Sequence, residues 1–206
     1  MEIRLLAEYY LLPCRSLIFR IFKDMQYLLS NGLPLRVRQA RPEDAVSLLE
    51  MFRKVVAESD FLLTTLLEAR MLTVEQEKEF IASYQQNPRN LFMVAEVNDT
   101  LAGSMSVTLS KWKKQSHVGE FGIVILREYW NLGIGRRMIN TMLQWSKEHP
   151  SIRLIQLSVL ANNDKAIRMY KNFGFKEQGR LEKAICQPDK TLQDLLSIAK
   201  WDKDGD

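Results

Sequence analysis

The segment Ile123-Val124-Ile125-Leu126-Arg127-Glu128-Tyr129-Trp130-Asn131-Leu132-Gly133-Ile134-Gly135-Arg136-Arg137 carries the pattern in this chain best suited to chemistry. An apolar run reads as a strand. It enters a short glycine-containing loop and then a helix. The first turn of a helix has free backbone N–H groups and the positive end of the dipole. Gly133 and Gly135 have no Cβ and let an anion come close to that backbone. Arg136 and Arg137 add positive charge. The arrangement suits a pyrophosphate. It is not a P-loop, because no Lys-Ser/Thr follows, and it is not the dinucleotide fingerprint, because Met138 stands at the third glycine position. Taken alone, the turn serves equally well as a tight strand-to-helix connection that holds no ligand.

Other reactive side chains are few. Cys14 and Cys186 make no CxxC pair, and His117 and His149 are the only imidazoles, so no metal site is expected. The cysteine usage fits two plain thiols in a reducing cytoplasm, with a disulfide between them left open. Lys111-Trp112-Lys113-Lys114 reads as a solvated turn, with an anion contact as the alternative.

The elements that position the turn follow from periodicity. Residues 35–40 alternate as a half-buried strand. Pro42-Glu43-Asp44 opens a helix with the apolar stripe Ala45, Leu48, Leu49, Phe52 and Val56. A loop or short helix spans about 61–72, and Thr73-Val74-Glu75-Gln76 has the capping-box form for a helix to about Gln86. Strands are expected at 91–97 and 101–109, joined by the tight turn Asn98-Asp99-Thr100, and at 117–126. A helix over 135–148, a strand over 152–160, a helix over 164–173 and strands near 175–185 and 192–200 complete the order. Asn163, just before Asp164-Lys165-Ala166, reads as an N-cap. The result is one mixed α/β domain without internal repeats, and not the strictly alternating doubly wound order.

Residues 1–34 read differently, and the expected division is an N-terminal helical extension over 1–34 and one domain over 35–206. Residues 16–30 are expected to form an amphipathic helix from Ile18, Ile21, Phe22, Met25, Leu28 and Leu29, ended by Asn31-Gly32 and Pro34. Such a helix packs on the domain, on a second subunit in a homodimer, or on a membrane surface, and the near balance of charge favours packing. Translation from Met25 is a further alternative. The chain has 206 residues, 46% hydrophobic and 26% charged, which is ordinary for a soluble globular protein with one sizeable core. No uncharged apolar stretch of membrane-spanning length occurs, so no stable membrane insertion is expected. The net charge of +4 mildly favours anionic ligands, and no nucleic-acid recognition motif accompanies it.

Trp130-Asn131-Leu132-Gly133-Ile134-Gly135 resembles the Gln/Arg-x-x-Gly-x-Gly/Ala signature of the GNAT N-acetyltransferase superfamily, with Trp130 in the Arg or Gln position. The stretch from Leu157 to Phe175 is similar to the family's Asn-x-x-Ala-x-x-x-Tyr-x-x-x-Gly-Phe motif at Asn163, Ala166, Tyr170, Gly174 and Phe175. The resemblance covers residues 35 to about 201. It implies a central, mostly antiparallel sheet flanked by helices, acetyl-CoA as co-substrate, and transfer of acetyl to a primary amine of a small molecule or peptide by direct attack. It also implies that backbone groups of Ile123, Val124 and Ile125 hold the pantetheine arm. Asn131, Leu132, Gly133, Ile134, Gly135 and Arg136 would hold the pyrophosphate, and Asn163 would reach the cofactor. Tyr170 would protonate the leaving thiolate. Glu120, beside Phe121 and near Val118, is the candidate base, working through water. The family binds its acceptor with the loop here at about 59–72 and the turn at about 184–191. The rival reading is a GNAT-fold module that binds acyl-CoA without turnover.

Overall fold

The computed structural model of the chain describes residues 24–201. Eight strands form one sheet in the order β1-β2-β3-β4-β5-β6-β8-β7. They are β1 Asp24–Leu28, β2 Pro34–Gln39, β3 Leu91–Val97, β4 Thr100–Leu109, β5 Val118–Ile125, β6 Leu154–Leu160, β7 Lys176–Cys186 and β8 Leu192–Trp201. The helices are α1 Ala45–Glu58, α2 Leu66–Met71, α3 Val74–Gln86, α4 Ile134–Glu148 and α5 Asp164–Asn172. The mixed α/β architecture and its element order from residue 35 onward are those expected from the sequence. Both predicted helix starts at the capping residues hold: the Thr73 side chain accepts from Gln76 N–H, and the Asn163 side chain accepts from Ala166 N–H.

The N-terminal expectation is corrected. Residues 24–28 are not the end of a helix but an edge strand, antiparallel to β2 from Asp24↔Arg38 to Leu28↔Pro34. The expected boundary at residue 34 therefore falls at the start of β2, in a hairpin of the same sheet. Met25, Leu28 and Leu29 fit a helical spacing, but Asp24-Met25-Gln26-Tyr27-Leu28 also alternates, with Met25 and Tyr27 half-buried against the core. Asn31-Gly32 acts as a hairpin turn rather than a helix stop. Gly32 takes φ +80°, and Leu29 N–H bonds Leu33 O at 2.9 Å. Asp24 also accepts from Arg36 Nε at 2.8 Å across the pair. These cross-strand partners outweigh the local helical pattern. The expected helix over residues 16–23, Cys14, and the rest of 1–23 lie outside the described residues.

The sheet has a core on each face. α1 and α3 pack Ala45, Leu48, Met51, Val55, Ile81 and Tyr84 on Phe92, Val94 and Leu101. On the other face α4 and α5 pack Ile134, Met138, Ile139, Met142, Ile167 and Tyr170 on inward residues of β2 to β6 and β8. A buried ion cluster ties β2 to β3 and to the turn before α1. Arg38 donates to Asp44 at 2.7 Å and to Glu96, which leaves its charge paired in the interior.

All neighbouring strands are antiparallel except β5 and β6. These pair in parallel only at Val118↔Leu154, Gly119↔Ile155 and Glu120↔Gln156. Beyond that point β5 runs on to Ile125 and β6 to Leu160, and the two diverge. The gap between them is the feature on which the site is built.

Candidate active site

The phase of the β4–β5 ladder decides which backbone groups face the gap. Leu126 N–H bonds Ala102 O at 2.9 Å, and Ser110 N–H bonds Val118 O at 3.2 Å. With Gly103 opposite Ile125, alternate residues then turn opposite ways. Val118, Glu120, Gly122 and Val124 direct their N–H and C=O groups to β4. Phe121, Ile123 and Ile125 direct theirs to the gap. Of the three residues expected to hold an extended ligand arm, Ile123 and Ile125 thus present main chain to the gap, and Val124 presents only its side chain.

Trp130 modifies this further. Its Nε1–H donates to Ile125 O at 2.8 Å, which occupies that carbonyl and fixes the loop after β5. Lys165 Nζ lies 4.5 Å from the indole centroid and the Arg127 guanidinium 5.6 Å. The residue that departs from the signature is therefore a structural clamp. The indole's single N–H donor was the signal in the sequence, but its partner became visible only in three dimensions.

From Ile125 the chain passes through a 3₁₀ turn at Arg127–Tyr129, then Asn131 at φ +65° and Gly133 at φ +91°, into α4. No side chain caps this helix, and its ladder begins with Arg137 N–H on Gly133 O at 3.1 Å. The N–H groups of Ile134, Gly135 and Arg136 precede the ladder, at the positive end of the dipole. Asn131, Gly133, Ile134, Gly135 and Arg136 all line one cleft. Leu132 does not; its side chain packs on the core.

The two glycines differ in what an added Cβ would meet. A Cβ on Gly133 would meet nothing within 4 Å, and its left-handed φ is what the turn needs. A Cβ on Gly135 would stand 3.2 Å from Met169 Sδ and 3.3 Å from Ile125 Cδ1, so this glycine allows α4 to approach α5 and β5 closely. The expectation for Arg137 is corrected. Its guanidinium lies 4.8 Å over the Tyr27 ring and it does not line the cleft, so its charge braces β1 instead of the anion site.

The cleft has a volume of about 1670 Å³ and continues past the β5–β6 gap to α1, α3 and the loop between them. Asn163 lines it and also caps α5, its Oδ1 accepting from Ala166 N–H at 3.2 Å. Tyr170 lines it from α5, with its ring buried between Phe121 and Phe175. Its hydroxyl has no hydrogen-bond partner among the described residues, and burial pushes its pKa well up. At neutral pH it is a proton donor and not a base. Glu120 is not brought into the cleft. It is exposed, on the face shared with α1 and α3, and accepts from Gln156 Nε2 at 2.9 Å.

At the far end, Ser59, Phe61, Leu62, Thr64, Glu68 and Leu72 line the cleft as expected for the 59–72 loop. The 184–191 turn contributes no lining among the described residues, although Gln187 Nε2 donates to Asp60 O at 3.2 Å. Leu48, Met51, Phe52 and Val55 of α1 and Gln76, Glu77 and Phe80 of α3 also line it. Sequence reasoning missed them because an apolar helix stripe reads as core whether it meets a sheet or a cavity. The C-terminus of α1 is tied to the 3₁₀ turn after β5 by Lys54–Glu128 at 2.6 Å and by Arg127 N–H on Glu58 Oε2 at 3.0 Å.

Known proteins are similar to this chain in sequence and fold. The L-amino acid N-acetyltransferase AaaT of Escherichia coli (strain K12) is 26% identical over 87 residues, covering 42% of this chain and 54% of its own length. The chain thus spans about half of that relative. The N-alpha-acetyltransferase of Sulfurisphaera tokodaii is 28% identical over 157 residues, covering 71% of this chain and 83% of its own. The crystal structure of the acetyltransferase of GNAT family from Streptococcus pneumoniae superposes with a TM-score of 0.78 at 27% identity, covering 81% of this chain and 99% of its own. The model of the acetyltransferase (GNAT) family matches residues 61–175, a span that holds the splayed strands, the uncapped helix start and Tyr170, and the chain belongs to that family.

Proposed function

We propose that the protein transfers the acetyl group of acetyl-CoA to a primary amine of a small molecule or peptide by direct attack. The observation that carries this reading is the Ile123 main chain turned into the β5–β6 gap beside the uncapped start of α4. Together they suit a ligand with an amide-bearing arm and a pyrophosphate, which is the make-up of CoA. When bound, acetyl-CoA supplies a thioester carbon open to an amine.

The N–H groups of Ile134, Gly135 and Arg136 receive the pyrophosphate, with the Arg136 side chain adding charge. Asn131 and Asn163 flank this end of the cleft. Ile125, nearer the pyrophosphate end, offers its N–H to the arm as an added strand would, and the N–H of Ile123, farther along β5, polarises the carbonyl as the amine nitrogen bonds to its carbon. As the carbon–sulfur bond breaks, Tyr170 gives its hydroxyl proton to the thiolate. Glu120 reaches the amine proton only through water, since Gln156 holds it outside the cleft lining. The exposed free thiol of Cys186 supports a cytoplasmic setting.

Acetyl-CoA titration combined with free-thiol detection over an amine panel tests the reading. Binding with CoA release that depends on an amine is expected. Binding without release for any amine would leave an acyl-CoA-binding module instead.

A further inference from the structure

The two ends of the cleft differ in charge. Arg136, Lys165 and Arg168 line the cofactor end, with Asp164. Among the described residues, Glu68 and Glu77 are the charged side chains that line the other end. Glu68 is committed: its Oε2 accepts from both the N–H and the hydroxyl of Thr65 at 2.7 Å, closing the cap of α2. Glu77 is half-buried on α3, and its carboxylate has no hydrogen bond or ion pair among the described residues. Burial pushes its carboxyl pKa up, as it does for a charge without a partner.

The surroundings of Glu77 are apolar. Phe80, one turn along α3, meets Phe92 edge-on at 5.4 Å. Phe92 pairs with Ser106, and Ser106 pairs with Gly122, so this floor leads across the sheet to the position beside Ile123. A Cβ on Gly122 would meet only Ser106 Oγ, at 3.6 Å, which leaves the passage open. Phe61, which lines the same end, is apolar and 37% exposed.

We infer that the acceptor is a small primary amine borne on an uncharged aryl or alkyl group, with its ammonium received by Glu77 and one proton passed to water before the neutral nitrogen attacks. The inference rests on the acetyl-transfer reading and names its substrate class. No cation lines this end among the described residues, so the carboxylate of a free amino acid would gain no charged partner for the water it loses. The second ammonium of a polyamine would find no second carboxylate there that is not already bonded, since Glu68 is held by Thr65.

The test measures CoA release with 2-phenylethylamine, L-phenylalanine and spermidine, and calorimetric binding of 2-phenylethylamine to the full chain saturated with CoA. The expected kcat/KM for 2-phenylethylamine is at least about tenfold above either rival, because a stranded polar group disfavours the others. Glu77→Gln should raise the amine KM and Kd roughly 10- to 100-fold, the range for a lost charge-assisted hydrogen bond, and leave the KM for acetyl-CoA unchanged. Amine binding that weakens in Glu77→Gln, with no thiol released by any amine, would sink the acetyl-transfer reading and keep the amine site. Equal or better turnover of L-phenylalanine or spermidine would overturn the inference. So would an amine KM and Kd indifferent to Glu77→Gln, or a Phe-initiated tripeptide preferred more than about tenfold over 2-phenylethylamine.

Discussion

Replacing Gly133 and Gly135 by alanine, one at a time, should separate a conformational requirement from a packing one. Gly133 sits at φ +91° with open space where a Cβ would go. Alanine there meets no atom but must hold a left-handed backbone, at about 1–2 kcal/mol. For a chain of this size that lowers Tm by roughly 2–8 °C. If the turn relaxes instead, the N–H groups of Ile134 to Arg136 lose their alignment, and acetyl-CoA affinity should fall on the order of tenfold for each 1.4 kcal/mol of misfit. Gly135 has helical backbone, so alanine gains about 1 kcal/mol of helix propensity. Against this stand contacts of 3.2 Å to Met169 Sδ and 3.3 Å to Ile125 Cδ1. Met169 is flexible enough to give way, so the net change should lie within about 1 kcal/mol of zero. Urea unfolding gives the stabilities, and thermal shift with and without acetyl-CoA gives the binding. A neutral Gly133→Ala beside a Gly135→Ala that loses more than about 2 kcal/mol would refute the assignment of roles.

Tyr170→Phe keeps the packing on Phe121 and Phe175 and removes the proton donor, so kcat should fall about 10²-fold with acetyl-CoA binding retained; an unchanged kcat with chemistry rate-limiting would reduce Tyr170 to a packing residue. A chain beginning at Leu35 lacks β1 and leaves β2 as the sheet edge, paired only with β3. It should lose about 3 kcal/mol from Met25 and Tyr27 in urea unfolding and still bind acetyl-CoA, because the cleft lining starts at Leu48. Desolvation alone would raise the Asp44 carboxyl, but hydrogen bonds from Arg38 and from Arg41 N–H outweigh it and leave the pKa lowered. Folding therefore favours the charged form. Its contribution is fully present above about pH 4 and is lost as pH falls through the depressed folded value. Asp44→Asn should flatten that acid limb of the urea midpoint, and an unchanged limb would contradict the pairing.

Where local pattern and long-range partner agree, the sequence was legible. Thr73 and Asn163 cap the helices they precede, and Asn98-Asp99, both at positive φ, turn β3 into β4. Residues 24–28 were misread because Met25 satisfies two periods, with Leu28 at helical spacing and with Tyr27 at strand spacing, and only the Arg36 and Tyr27 contacts choose between them. The glycine-containing loop was legible as a strand-to-helix turn with a left-handed glycine and an uncapped helix start, because its signal is backbone geometry imposed by residue type. The side-chain parts were not. Arg137 looked like Arg136 until Tyr27 took it, and the use of the Ile125 carbonyl by Trp130 depends on a contact that no spacing encodes. Glu77 escaped notice as one acidic residue in the polar first turn of a helix.

The uncapped start of α4 has a consequence for how such proteins diverge. The anion site proposed there would be made mainly of main-chain N–H groups, so most substitutions would leave it intact so long as Gly133 can keep its φ. The opposite wall is made of side chains on α1, α3 and the 59–72 loop, each of which can change singly. On the acetyl-transfer reading proposed above, a lineage could therefore exchange one amine for another by replacing Glu77, Phe80 or Phe61 without rebuilding the end of the cleft that would hold the acetyl donor. Selection acts on the two ends of one cleft at different rates, because one is written in backbone and the other in side chains.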